Sequence, residues 1–315
     1  MRPRALVDAL LEASVVGSFT RLGYETRRRL YDWTPLAGLR LDGATAIVTG
    51  ATSGLGRETA SLLRRQGAAV TVVGRDGART EVARNETGAA GSELADLSLL
   101  RETRALAARI TETHKTLDVL VLNAGAMTHA FTLTDEGNEV TLATQVLSQF
   151  LLVDALRSLL ESSAARVIVV SSGGMYLERL DVDALQPTEE SYDGVKAYSR
   201  AKRAQVALVE EWTARLGGTG ITINAMHPGW SDTPGLRDAL PGFSRALSPL
   251  LRTPEQGADT IAWLAAAPEI EGVSGEFFLD RRARPTHRKR STRRLDEAQE
   301  RARLWDMCVL KTARQ

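Results

Sequence analysis

The run Thr49-Gly-Ala-Thr-Ser-Gly-Leu-Gly56 restricts what this chain can fold into more than any other segment. It stands between the apolar, β-branched run Ala44-Thr-Ala-Ile-Val-Thr49 and the helix-compatible stretch from Arg57 to Gln66. Glycine permits tight turns and close backbone approach, and the first turn of a helix offers unpaired N–H groups and partial positive charge. Strand, glycine turn and helix in that order form a cradle for a pyrophosphate, so the implied ligand is a dinucleotide. A plain structural turn is the competing reading of the loop alone. Its T-G-x-x-x-G-x-G spacing also puts one residue more between the first and last glycine than G-x-G-x-x-G.

The neighbouring sequence favours the dinucleotide. Ala69-Val-Thr-Val-Val-Gly74 and Leu117-Asp-Val-Leu-Val-Leu122 read as further buried strands with helical patterns between them. Such βαβ alternation predicts a doubly wound, Rossmann-like α/β fold with a parallel sheet. The ribose-reading position falls roughly 20 residues past the glycines, where Gly74-Arg75-Asp76 stands. Arg75 would attract a 2′-phosphate, which favours NADP(H). A shift of one residue would bring Asp76 to a 2′-hydroxyl instead, which keeps NAD(H) as the alternative.

Downstream, Tyr198 and Lys202 are four residues apart in a helix-compatible run, so both project from one face. A phenol ordinarily titrates near 10, and nearby positive charge favours the phenolate. The pair therefore suits general acid–base work on a carbonyl or alcohol oxygen, with Ser172, at the end of Val167-Ile-Val-Val-Ser-Ser172, as a hydrogen-bonding partner. Two decoys accompany them. Tyr192-Asp-Gly-Val-Lys196 repeats the Y-x-x-x-K spacing but contains Gly194, a weak helix former, and Ser171 competes with Ser172.

In their order, Thr49-Gly50, Gly54, Gly56, Asn123-Ala-Gly125, Ser172, Tyr198-Ser-Arg-Ala-Lys202 and Pro228-Gly229 with Thr233 resemble the short-chain dehydrogenase/reductases over roughly residues 40 to 280. Thr134-Asp-Glu-Gly137, Gln149-Phe-Leu-Leu152 and His227-Pro-Gly-Trp-Ser-Asp-Thr-Pro-Gly235 resemble the retinol-dehydrogenase-like branch, especially its dehydrogenase/reductase member 12-like proteins.

The resemblance implies catalytic roles for Ser172, Tyr198 and Lys202, with Lys202 also on the nicotinamide ribose. It implies cofactor contacts from Thr49, Gly50, Thr52, Ser53, Gly54, Leu55, Gly56, Arg75, Asp96, Leu97, Asn123, Ala124, Gly125, Pro228, Gly229 and Thr233. Within that set, Asp96 would bond the adenine, against a competing reading as a loop or capping acid. One departure stands out. Where the family places an asparagine that organises a water near the lysine, this chain has Gln145, carried as a relay residue whose longer side chain moves the amide. His227, at a strand end, reads as a structural hydrogen bonder.

A chain of 315 residues with 43% hydrophobic and 25% charged residues can bury one large domain. Cys308 is the single cysteine, which excludes an intramolecular disulfide, and no Cys/His cluster has metal-ligand spacing. Residues 1–40 form a leader in which Leu6, Leu10, Leu11, Val15 and Val16 suggest an amphipathic helix. Asp8 and Glu12 interrupt it, so neither a signal peptide nor a membrane span is expected. Docking on the chain's own core is favoured for this leader over a membrane surface or a cover for the substrate mouth. Residues 281–315 form a tail. Its basic stretch, Arg281 to Arg294, reads as a solvated segment, followed by a short helix from Leu295 to Leu310 anchored by Trp305 and Leu310.

The expectation is one Rossmann-like domain over residues 41–280 that uses NADP(H) to interconvert a carbonyl and an alcohol on a small apolar or lipid-like substrate. A cytoplasmic location and no nucleic-acid partner complete it, with peripheral membrane contact through the basic termini and homo-oligomerisation as options left open. The competing readings are a dinucleotide-binding regulatory protein with weak turnover, hinted at by Gln145, and a peripheral membrane-binding module.

Overall fold

The computed structural model describes residues 3–288 and 298–313. Among the described residues eight strands, β1 (Thr45–Thr49), β2 (Ala69–Gly74), β3 (Gly91–Leu94), β4 (Val119–Leu122), β5 (Arg166–Val170), β6 (Thr222–Met226), β7 (Phe277–Leu279) and β8 (Arg282–Ala283), form one sheet. The order is β3-β2-β1-β4-β5-β6-β7-β8, parallel throughout except for β8, which runs antiparallel to β7.

The strands are apolar on both faces because helices cover both, as a parallel sheet requires. Ile47, Val73, Leu120 and Val167 join one core, with α-helical partners from Leu100–Thr113, Ser148–Ala155 and Gly194–Arg215. Their alternates Val48, Val72, Val121 and Ile168 join a second core with Gly54–Arg65 and Pro254–Ala266. The sheet's order turns back between β1 and β4, so the connections after those strands diverge and leave a crevice at their carboxyl ends. The doubly wound expectation is met. Among the described residues no helix is long and apolar enough to cross a membrane, and no cluster of His, Cys, Asp or Glu could hold a metal ion.

Before β1 the leader folds into α1 (Pro3–Ala13), α2 (Val15–Phe19) and α3 (Arg21–Leu30). It docks on the body, through charge as well as apolar contact. Arg27 is fully buried and reaches Asp8 at 2.7 Å, Glu12 at 2.9 Å and Asp280 at 2.7 Å. Asp280, also fully buried, takes a second guanidinium from Arg252 at 2.6 Å. Burial raises the Asp8 pKa, but the hydrogen bonds and charges of Arg284 and Arg27 outweigh it and bring the carboxyl down to about 2. Asp280 likewise lies below its ordinary value, the arginines overcoming its burial. Asp8 and Glu12, which break the apolar pattern of the leader, are thus the groups that dock it.

The basic stretch departs from the expected solvated tail as far as it is described. Arg281 pairs with Asp259, Arg284 with Asp8 and Arg288 with Glu12. Residues 289–294 lie outside the described residues, as do the first three of the predicted Leu295–Leu310 helix. The terminal helix spans Ala298–Ala313 and folds back onto the core. Trp305 packs edge-on to Phe150 with ring centroids 4.9 Å apart. Leu310 is half exposed, so Leu304 and Cys308, fully buried six and two residues earlier on the inward face, are the anchors in its place. Burial pushes the Cys308 thiol well above its ordinary pKa, which suits a packing role.

Candidate active site

Close backbone approach explains the glycines. A Cβ on Gly56 would collide with Gly50 O and Asn123 Nδ2, and one on Gly50, at φ +64, would lie 2.8 Å from Ala124 Cα. The Asn123 side chain donates to Thr49 O at 2.9 Å and Gly50 O at 3.2 Å. Thr49 Oγ1 donates to Val121 O and accepts from the Asn123 and Ala124 amides at 2.9 and 3.1 Å. Thr49, Asn123 and Ala124 therefore brace the loop across the β1–β4 crevice. The Gly54–Arg65 helix starts at this loop, and Ser53 at its N-cap makes no side-chain capping bond. Its first-turn amides remain available to an anion.

A cleft of ≈ 460 Å³ opens over the carboxyl ends of β1, β4, β5 and β6. It brings together Gly50, Ser53, Gly54, Leu55, Gly56, Asn123, Gly125, Ser172, Tyr198, Lys202, Pro228, Gly229 and Thr233. Thr52, Arg75, Asp96 and Leu97 do not line it. Arg75 is exposed directly after β2, while Asp76 accepts the Arg79 amide at 2.9 Å and caps the Gly77–Thr87 helix. Asp96, just after β3, accepts both the Ser98 amide and hydroxyl through Oδ1, at 2.9 and 2.8 Å, and Leu97 beside it is buried. Thr233 caps the Pro234–Ala239 helix by accepting the Leu236 amide, and its side chain faces Gly54.

Tyr198 and Lys202 project from the Gly194–Arg215 helix. The Lys202 ammonium donates to Val170 O at 2.9 Å and lies 5.3 Å from the centre of the Tyr198 ring. Burial pushes Lys202 down to about 7. It also raises the Tyr198 phenol, against a lowering contribution from the Ser172 hydroxyl. Ser171 and Ser172 are distinguished by their bonds. The Ser171 hydroxyl donates to Lys202 O at 2.9 Å, whereas Ser172 Oγ accepts from Gly174 N at 3.2 Å and keeps its own hydrogen for another acceptor. The decoy pair is also separated. Tyr192 precedes the helix and bonds Thr128, and a Cβ on Gly194 would collide with Thr128 O.

Gln145 sits in a π-helical turn, Ala143–Leu147, of the sort that often marks functional positions. Its Nε2 donates to Ala126 O at 2.7 Å, and its carbonyl is packed against Gly125, buried with no hydrogen-bond partner among the described residues. No hydrogen bond joins it directly to Lys202 among those residues. His227 has the structural part expected of it. Nδ1 accepts the Gly229 amide at 3.0 Å, and burial together with Arg252 holds the imidazole neutral, well below its ordinary pKa.

Several cleft residues were not among the site residues expected from the sequence. Val15 and Phe19 come from the leader, and Met127, Leu177, Trp230, Leu240 and Phe243 from loops and short helices around the mouth. Trp230 alone falls inside a recognised motif, the run His227 to Gly235.

The short chain dehydrogenase family model matches residues 44–241. The chain is 39% identical over 278 residues to dehydrogenase/reductase SDR family member 12 of Bos taurus, covering 85% of this chain and 86% of that one. It is 37% identical over 263 residues to retinol dehydrogenase 14 of Mus musculus, covering 76% and 78% respectively. Among solved structures it resembles the Pseudomonas aeruginosa RhlG/NADP active-site complex, with a TM-score of 0.64 and 26% identity over 78% of this chain and 97% of the other. On its crevice, its Ser172, Tyr198 and Lys202 and these likenesses, the chain belongs to the short-chain dehydrogenases, a family of NAD(P)-dependent oxidoreductases.

Proposed function

We propose that the protein interconverts a carbonyl and an alcohol on a small, uncharged, apolar substrate with NADP(H). The observation that carries this reading is the composition of the cleft, in which Lys202 is the single charged side chain among the lining residues, beside the Tyr198 phenol and the Ser172 hydroxyl. Around the mouth Val15, Phe19, Met127, Leu177, Trp230, Leu240 and Phe243 are apolar, so a carboxylate or phosphate held among them would lose hydration with no charged partner.

The residues fit the cofactor. The uncapped start of the Gly54–Arg65 helix suits a pyrophosphate. Asp76 is committed to its cap and Arg75 is exposed, an arrangement that favours a 2′-phosphate over a bare 2′-hydroxyl, with NAD(H) the alternative. The relative solved with NADP is in keeping with this. When bound, the cofactor supplies or receives the hydride.

The chain's own groups handle the proton. In reduction the Tyr198 hydroxyl gives its proton to the substrate oxygen, and the Ser172 hydroxyl donates a hydrogen bond to the same oxygen. Lys202, anchored on Val170 O, puts its charge where it favours the phenolate that remains. In oxidation the phenolate takes the alcohol proton. Gln145, with its buried carbonyl, would position a water in the relay that restores the Tyr198 proton.

The test is NADPH consumption with apolar aldehydes and ketones, and NADP⁺ reduction with the matching alcohols, each repeated with NAD(H). Tyr198→Phe should keep cofactor binding and lower kcat by about 10²–10⁴, the usual worth of a general acid–base group. Undiminished turnover in that variant, or cofactor binding without turnover across the panel in the wild type, would overturn the reading.

A further inference from the structure

The cleft has a wall that comes from outside the sheet and its connections. Phe19, at the end of α2, is buried with its ring edge-on to His227 at 4.3 Å and to Trp230 at 5.7 Å between centroids. Trp230 in turn meets Phe243 edge-on at 4.9 Å. The Phe19 ring also lies so close to Gly173, the residue after Ser172, that a side chain there would strike it. One leader side chain therefore touches the loop bearing the catalytic serine and the turn that follows β6.

The leader backbone is tied to the same turn. Phe19 O accepts the Trp230 amide at 2.8 Å and Arg252 Nε at 3.1 Å, and Arg252 also donates to Ser18 O, Thr20 O and Pro228 O. A Cβ at Gly229, which sits at φ +73, would collide with the Arg252 guanidinium and approach Phe19 O. That glycine makes room for the leader. Beneath these contacts, Arg27 and Arg252 share Asp280 in a buried clasp. Val15, one turn before Phe19 and half exposed, forms the outer rim of the cleft.

We propose that the leader is a fixed wall of the substrate cleft, and that Phe19, with Val15 at the rim, determines which uncharged carbonyl compounds the site accepts. This rests on the carbonyl–alcohol reading above. Removing the Phe19 ring enlarges the chamber beside Ser172 and frees Trp230 on one side, so bulky substrates gain and small ones lose contact. A larger residue at Val15 narrows the entrance with little disturbance to the core.

The test uses the full chain with NADPH and two substrates, hexanal and the bulkier benzophenone, in the wild type, Phe19→Ala and Val15→Trp. Phe19→Ala should raise the benzophenone-to-hexanal ratio of kcat/KM by about tenfold or more, chiefly through KM, and Val15→Trp should lower it. NADPH affinity, read from its fluorescence, should move by no more than about twofold. A ratio unchanged in both variants, with NADPH bound normally, overturns the proposal. If Phe19→Ala fails to fold, Val15→Trp decides, since its position is half exposed. If the wild type turns over neither compound nor any other in the apolar panel, the carbonyl–alcohol reading fails and the wall is judged by Nile red titration. Weaker dye binding in Val15→Trp by about fivefold supports the wall, and equal binding overturns it.

Discussion

The two sides of the cleft are held in place by different physics. On the cofactor side, neutral groups do the work: Asn123 and Thr49 bond backbone across the β1–β4 crevice, and missing side chains at Gly50 and Gly56 let the strands' ends meet. On the leader side, the acids Asp8, Glu12 and Asp280 share a largely buried network with Arg27, Arg252 and Arg284, joined at its edge by Arg282 and Arg288. A neutral brace is indifferent to pH, whereas a buried ionic clasp holds only while its charges are balanced. The two walls should therefore be separable.

The largest effect is expected from Asp280→Ala, which strands two buried guanidiniums without their shared counterion. Removing one partner of a buried pair costs about 3–5 kcal/mol, and denaturant unfolding should show a loss of that order. Trypsin should also cut the variant sooner at Arg28 or Arg29, both exposed on α3. If stability and cleavage match the wild type, the clasp is not what holds the leader.

Gly56→Ala attacks the other wall. Its methyl would drive into Gly50 O, and overpacking of this sort costs about 1–3 kcal/mol. NADPH affinity should fall by more than about tenfold while the rate of tryptic cleavage in the leader under native conditions stays that of the wild type. Equal damage to both would show that the walls are coupled.

Acid should discriminate between them more gently. The Asp8 carboxyl, facing Arg27, Arg284, Arg282 and Tyr31, titrates at about 2 in the fold against an ordinary 3.8. A depressed acid contributes stability that is fully present above the ordinary value and is lost as pH falls through the folded one. Between pH 3.8 and about 2, pepsin cleavage of the leader should therefore accelerate while amides of β1 and β4 keep their hydrogen-exchange protection. Simultaneous loss of protection in both regions would count against separate walls.

The same contrast explains what could be read in the sequence. The glycine loop, the buried strands and the Tyr198–Lys202 spacing are local patterns, in which residues near in sequence are near in space, and they lead directly to the sheet and its crevice. Between Ser171 and Ser172 the resemblance already favoured Ser172, and the bond from Ser171 to Lys202 O now separates their parts. Docking of the leader was expected, but its partners could not be read because its contacts are distant. Arg27 meets Asp280 across 253 residues, and Arg252 meets Phe19 O across 233. Asp8 and Glu12 register locally as interruptions of an apolar stripe, and Arg281, Arg284 and Arg288 as a basic tail. Each sign of charge has its meaning only in the presence of the other. Leu310 was misplaced as an anchor because helix periodicity does not say which face turns inward, and Leu304 and Cys308 hold the inward one.

The span of the clasp also bears on how the protein is made. The leader is synthesised before the sheet it docks on, and Asp280, which neutralises Arg27, follows Arg27 by 253 residues. At about 5–20 residues per second that interval is roughly 13 to 50 s. Throughout it the clasp that fixes α1 to α3 lacks the carboxylate shared by Arg27 and Arg252. Closure of the cleft's outer wall thus waits for Arg252 and Asp280, and a chain truncated before them would carry the β1–β4 crevice without that wall fixed.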